Sequence, residues 1–378
     1  MTDVEPGDPY AEAAVPLRAR LVRRVVTAGG LGDPDWRAAF AEVPRHVFVP
    51  VYYRPRPAGG GFSRLSADAP DPRARARWLA GAYADVPLVT HIRGGELLSS
   101  SSQPSLMAAM LEALQVLEGH TVLEIGAGTG FNAALLAHRL GDDAVTTVDL
   151  ETAITEAARS HLAAAGFAAV NVVTGDGSLG WAHGAPYDRI IATCELPFVP
   201  PEWLRQCRPG GLVLAPFGGG LIALRVTGDH HAQGCFLPAP AYFVSLRGTG
   251  AAAHPAPEAI GPEERVRSTT TPPQVLDSEL FRFLLTLLAG ELQIRWAFGG
   301  RGAAITAPDG SAARADRSGT VLLAGPRDLW ALVEEAHALW DREGRPSRDR
   351  FGMTVHGDHQ WTWLDHPDGP NAWELPGV

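Results

Sequence analysis

Between Gln103 and Phe217 the chain alternates between two hydrophobic periods. "QPSLMAAMLEALQVL" places Leu106, Met107, Met110, Leu111 and Leu114 on one helical face. "HTVLEIG" is a short apolar run that predicts a buried strand, and "FNAALLAHRLG" returns to helical spacing and stops at Gly141. The alternation repeats with "AVTTVDL" as a second strand and "TAITEAARSHLAAAG" as a helix ending at Gly166. "VNVVTGD", "YDRIIAT" and "GGLVLAPF" follow as strands three to five, with "PPEWLRQCRPG" between the last two. Short apolar strands alternating with helices predict a mainly parallel sheet covered on both faces, a Rossmann-like, doubly wound α/β domain. "LIALRVT" and "AYFVSLRG" read as later, antiparallel strands.

On either side of this domain, set at 99–248, the pattern changes. Residues 1–98 read as a helical segment, with "LRARLVRRVV" and then "DPDWRAAFAEV", where Asp33 caps a helix that has Pro34 at its first position. Within it, residues 51–75 are rich in Pro, Gly and Arg and predict an irregular insertion. Residues 249–276 form a Pro/Ala-rich linker. Residues 277–378 predict a smaller α+β accessory domain. Its helices are "DSELFRFLLTLLAG" and "PRDLWALVEEAHALW", and its strands "LQIRWAF", "AAITAPDG", "FGMTVHG" and "HQWTWLD".

Charge narrows the partners. A formal net charge of −10 argues against a general nucleic-acid binder or an anionic-membrane binder, because phosphate contacts need clustered Lys and Arg. No apolar run approaches the length of a membrane span. Cys194, Cys207 and Cys235 have neither metal-type spacing nor a disulfide framework, and the first ten residues lack the pattern of a signal peptide. The expected location is the cytoplasm.

The strongest chemical signal is "VLEIGAGTGFNAALL". A strand ends at Ile125, Gly126, Gly128 and Gly130 form a turn without side chains, and a helix begins near Asn132. The dinucleotide fingerprint needs a glycine at the sixth position, which here is Phe131. A G-x-G-x-G loop preceded by Glu124 suits S-adenosylmethionine (SAM), which has no pyrophosphate to cradle. Asp149 closes the second strand, where an acid accepts from ribose hydroxyls, and Asp176, between Gly175 and Gly177, is placed to accept from the adenine amino group. The expected cofactor-binding set is Glu124, Gly126, Ala127, Gly128, Thr129, Gly130, Asp149, Leu150, Asp176, Gly177 and Thr193. Glu124 either contacts the methionine portion of the cofactor or orders the loop. Cys194 reads as pocket wall.

These pieces, together with "VPRHVFVP", "YADVPL", "SQPSLMAAML", "VTGDGSLGW", "APYDRIIAT" and "RPGGLVLAPFG", resemble the protein-L-isoaspartate (D-aspartate) O-methyltransferase family from about Leu17 to Gly248. Repair enzymes of that family usually carry Thr-Ile-Ser where this chain has Ser100, Ser101 and Ser102, and usually end soon after "AYFVSLRG". The longer chain is similar to a biosynthetic branch that accompanies ribosomally made modified peptides: graspetides made by ATP-grasp ligases, lanthipeptides and lasso peptides. The resemblance implies methylation of a normal aspartate in a macrocyclic precursor peptide, followed by aspartimide formation. It also implies an ATP-grasp or other maturation enzyme as a partner.

Methyl transfer to a carboxylate needs no general base, because the nucleophile is already ionised at neutral pH. It needs an aimed, desolvated anion close to the methyl group. Hydroxyls and helix N-terminal amides serve that need, and "SSSSQP" offers both, with Pro104 at the first turn and Ser102 or Gln103 at the cap. Ser102 matches the family serine and is the first candidate to orient the substrate carboxylate, with Ser101 and Ser100 behind it. The alternative is that Ser102 only caps the helix. Rival functions are isoaspartyl repair of proteins, a non-catalytic SAM- or peptide-binding module, and a nicotinamide oxidoreductase, which Phe131 disfavours. No metal is expected: His356, Asp358, His359 and His366 match no strong ligand spacing, and His230–His231 reads as a solvated turn. Trp361, Trp363 and Trp373 read equally as a peptide surface or as core.

Overall fold

Five parallel strands form the centre of the first unit, in the order Asn171–Thr174, Val145–Asp149, Val122–Ile125, Tyr187–Ala192, Cys207–Phe217. The computed structural model describes residues 8–56, 61–94, 96–228, 230–248, 265–289, 295–299, 302–307 and 309–375. Strand direction of travel reverses beside Val122–Ile125, which pairs with Val145–Asp149 on one side and Tyr187–Ala192 on the other. A crevice at the carboxyl ends of the strands follows from that reversal. Val122, Leu123, Ile125, Ile190 and Ile191 are all buried, as expected of a sheet covered on both faces. Helices Phe131–Leu140 and Thr152–Ala164 make the covering crossovers. The α/β architecture read from the alternating pattern is the one observed.

The chain divides into two compact units that interleave in sequence. The first comprises Met1–Cys194, Arg205–Ala215 and Phe243–Gly248; the second comprises Glu195–Leu204, Pro216–Tyr242 and Thr249–Val378. In the second, Gly220–Gly228, His231–Phe236, Phe351–His356, His359–Leu364 and Ala372–Glu374 form successive antiparallel neighbours. A further antiparallel sheet has the order Arg265–Ser268, Thr320–Ala324, Ala312–Asp316, Gly302–Thr306, Arg295–Gly299. Helices Glu279–Ala289 and Leu329–Arg342 carry the apolar stripes seen in the sequence. Among the described residues, no helix is long and apolar enough to cross a membrane.

Several local expectations change. The first helices form at Ala11–Thr27 and Pro34–Glu42, the latter with Asp33 accepting from the Asp35 N–H. The supposedly irregular 51–75 segment contains a hairpin, Val51–Pro55 with Phe62–Ser66, and the start of helix Pro72–Ala82. Its order comes from buried anchors: the Tyr52 hydroxyl donates to the Trp78 carbonyl, and the Trp78 indole to the Val49 carbonyl. "AYFVSLRG" forms no strand; Pro238 and Pro240 ahead of it lack ladder donors, and its last residues line the crevice instead. His231 opens a strand rather than sitting in a turn. Residues 249–264 of the expected linker lie outside the described residues, while 265–268 form a strand and 273–277 a 3-10 turn. Trp363 is core: it is buried, lies against Gly352 and donates to the Thr354 hydroxyl.

Candidate active site

The glycine loop forms where expected. Gly126, Gly128 and Gly130 all have positive φ, at 98°, 51° and 85°. Gly126 also lacks room for a side chain: a Cβ there would lie 2.6 Å from Thr193 Oγ1, whereas one on Gly128 would meet the Ser100 carbonyl at 3.4 Å, an ordinary contact. Gly126, Ala127, Gly128 and Thr129 line the crevice together with Glu124, Asp149, Leu150, Gly177 and Thr193. Gly130 sits behind the wall as the N-cap of helix Phe131–Leu140, packed on Ala158 and Leu162.

The three acids have different environments. Glu124 is fully buried; Oε1 accepts from Asn132 Nδ2 at 2.7 Å and Oε2 from Thr147 Oγ1 at 2.6 Å. Burial pushes its carboxyl up to about 7, against the pull of those two hydrogen bonds. Oε1 therefore ties the strand to helix Phe131–Leu140, and Oε2 ties it to the neighbouring strand Val145–Asp149. Asp149 accepts from the Gly128 N–H at 3.2 Å and the Glu151 N–H at 3.4 Å, and burial raises its carboxyl. Asp176 Oδ1 takes the Ser178 N–H and hydroxyl, capping the 177–179 turn, and the carboxylate faces Gly248. Gly177, not Asp176, forms that part of the wall.

The serine run is part of a strand. Ser99 to Ser101 end the strand Glu96–Ser101, which pairs antiparallel with Leu88–Arg93 and lies across the glycine loop. All four serines line the crevice, but their hydroxyls are not equivalent. Ser99 accepts from Thr90, and Ser101 is buried and accepts from Arg45. Ser102 is half-buried, and among the described residues its hydroxyl has no hydrogen-bond partner. The helix cap is Gln103, and it makes no side-chain cap bond. The helix N-terminus is not wholly free for substrate either, because Asp85 Oδ1 already accepts from the Ser105 N–H at 2.9 Å.

Three wall residues were not anticipated. Asn132 is buried, and with Nδ2 committed to Glu124 its Oδ1 has no partner. Its signal was a lone amide in the otherwise apolar "FNAALLA". Arg247 donates to Glu151 and to the Leu98 carbonyl, both at 3.3 Å, and lies 4.0 Å from Asp149. Phe131 closes the wall beside the loop. Thr193 donates from Oγ1 to the Gly126 carbonyl at 2.7 Å, and burial pushes the Cys194 thiol up to about 12, so it is wall and not nucleophile. Among the described residues no cluster of His, Cys, Asp and Glu could hold a metal ion.

A close-approach glycine loop, an acid at the end of the next strand and an orphan buried acceptor suit a cofactor carrying a ribose and an ammonium group. That combination, on this fold, defines a SAM-dependent methyltransferase. The sequence profile described as protein-L-isoaspartate(D-aspartate) O-methyltransferase matches residues 74–231. Protein-L-isoaspartate O-methyltransferase 1 of Rhodopseudomonas palustris is 38% identical over 209 residues, covering 55% of this chain and 72% of that protein. The enzyme of Methylorubrum populi is 35% identical over 239 residues, covering 62% of this chain and 97% of its own. A solved protein-L-isoaspartate O-methyltransferase shares the fold over 96% of this chain and 100% of its own, with a TM-score of 0.55 at 22% identity. The chain belongs to the protein-L-isoaspartate O-methyltransferase family.

Proposed function

We propose that this chain methylates the free carboxylate of isoaspartyl residues in proteins or peptides. The observation that carries the reading is the Ser102 hydroxyl, without a partner among the described residues, on the crevice wall that also holds the glycine loop and Asp149. The relatives named above are protein-L-isoaspartate O-methyltransferases and support that substrate. SAM bound along Gly126–Thr129, Asp149 and Asn132 supplies an electrophilic methyl group. The chain's own task is then to donate a hydrogen bond from Ser102 to one carboxylate oxygen and to keep the anion out of water. No residue need accept a proton, since the carboxylate arrives ionised. Once esterified, that carboxyl is attacked by the following backbone nitrogen, methanol leaves and a succinimide forms.

A second reading keeps the chemistry and changes the substrate to a normal aspartate in a macrocyclic precursor peptide. Ser100 and Ser101, in place of Thr-Ile, favour it, because they alter the wall next to Ser102. The long C-terminal part does not discriminate, since the solved family structure also aligns over almost the whole chain. One panel separates the readings: the protein and SAM with an isoaspartyl peptide, its aspartyl counterpart, a macrocyclic aspartyl precursor and its linear form. The expected result is a mass gain of one methyl group on the isoaspartyl peptide. Turnover confined to the macrocycle, ending in net loss of one water, would replace the first reading with the second. SAM binding without transfer to any substrate would leave a binding module.

A further inference from the structure

Two of the motifs that carry the family resemblance, "VPRHVFVP" and "YADVPL", contribute no residue to the crevice wall. Each places one charged, almost fully buried side chain against the Ser101–Ser105 segment from behind. Arg45 is 1% exposed. Its Nη1 donates to the carbonyls of Ala82 and Ala84 at 2.8 and 3.0 Å. Its Nη2 donates to the Ser102 carbonyl at 3.0 Å and reaches Val86 O and Ser101 Oγ at 3.4 Å. The guanidinium also stands 5.8 Å from the centroid of Phe131, which lines the crevice. Asp85 belongs to the same turn that Arg45 grips. Its side chain is 7% exposed, and its carboxylate takes the Ser105 N–H.

Resting on the reading of Ser102 as the residue that orients the substrate carboxylate, we propose that Arg45 and Asp85 form a buried clamp that positions it. Arg45 fixes the peptide plane after Ser102 through its carbonyl, and Asp85 fixes the first turn of helix Pro104–Ala113 through Ser105. Between those two points the backbone of Ser102–Pro104 is held, and with it the position from which the Ser102 side chain enters the crevice wall. Two features argue for a role beyond general packing. Arg45 is a buried cation, which is costly to keep, and the Asp85 charge acts on it favourably. A neutral residue could have filled the space. The fork also spans two separate chain segments, and the second is the one that carries the candidate hydroxyl. Both are positioning residues; neither touches the substrate.

The test uses the full chain with Arg45→Lys, Asp85→Ala, Ser102→Ala and the double variant Arg45→Lys/Ser102→Ala. Readouts are kcat and KM for carboxyl methylation, S-adenosylhomocysteine (SAH) affinity by calorimetry, and hydrogen exchange of the 101–106 amides. Each clamp variant is expected to lose on the order of 10–100-fold in kcat through misplacement of Ser102. SAH affinity and the thermal midpoint should change far less. Because Arg45 acts through Ser102, the double variant should be scarcely slower than Ser102→Ala alone. Additive losses, or kcat, SAH affinity and midpoint falling together, would reduce Arg45 to a packing residue. Unchanged kcat in folded Arg45→Lys and Asp85→Ala would overturn the clamp outright. If the wild-type chain methylates no carboxylate, the functional reading fails by itself. The clamp is then judged by exchange alone: protection at 101–106 must fall in both variants, and wild-type protection in both refutes it.

Discussion

Ser102 and Glu124 set the residue-scale expectations. Ser102→Ala removes one hydroxyl from the wall and disturbs no hydrogen bond of the folded chain. Methyl transfer should fall on the order of 10–100-fold while SAH affinity stays at the wild-type value, because only the nucleophile loses a partner. Equal losses in both, with a lower thermal midpoint, would make Ser102 a mere helix-entry residue. Glu124 gives a pH signature. Its carboxyl lies near 7 in the folded protein against an ordinary 4.5, so the native state keeps a proton that the unfolded chain has lost. Stability therefore declines as pH rises through that window and stays reduced above it, by an upper bound on the order of 3 kcal/mol. Glu124→Gln should abolish the decline. Asn132 can turn its amide over so that the now unpartnered Oδ1 accepts from the new amide, and Thr147 can still donate. Thermal midpoints from pH 5 to 8.5 should show the variant gaining on wild type only towards the alkaline end. Parallel curves would sink this account.

At the scale of elements, the glycine loop shows why sequence pattern and geometry agree. Positive φ at Gly126 and the 2.6 Å approach to Thr193 Oγ1 leave no space for a methyl group. Gly126→Ala should cost about 2 kcal/mol, from left-handed strain and the lost Thr193 bond, and should abolish SAH binding. Gly175→Ala is the control: its nearest neighbour would be 4.0 Å away, so midpoint and SAH binding should hold. The parallel strands, the loop and Asp149 were legible because burial on both faces writes continuous apolar runs, and because only glycine tolerates those turns. The serine strand was not legible. Four serines carry no period-two alternation, and their extended conformation comes from pairing with Leu88–Arg93 far from any local signal. The Arg45 and Asp85 contacts were invisible for the same reason: they join residues separated by 20 to 57 positions. Asp176 was legible as an acid at a strand's carboxyl end, but its turn-capping bond to Ser178 was not, because a residue type that suits a ligand also suits a turn.

The whole chain is less divisible than its sequence suggests. A cut after Gly248 looks natural, because a Pro/Ala-rich stretch follows and the family resemblance ends there. Yet Pro216–Tyr242, upstream of that cut, belongs to the second unit. Strand His231–Phe236 pairs with Phe351–His356 through five register positions, from His231 with His356 to Cys235 with Gly352. Phe236 packs edge-on against Phe283 at 4.9 Å. Truncation at Gly248 would strip this strand of its neighbour, leave a row of unpaired backbone groups and expose Phe236, whose burial alone is worth about 1.5–3 kcal/mol. The shortened chain should therefore aggregate, or be recovered with a clearly lower thermal midpoint, and any loss of peptide turnover would follow from misfolding. The discriminating comparison is soluble yield, midpoint and SAH affinity of the truncated and full chains side by side. A soluble truncated chain with an unchanged midpoint would show that the hairpin at 220–236 stands without its partner strand. Lost peptide turnover in such a chain, with SAH binding intact, would then be assigned to recruitment by residues 249–378.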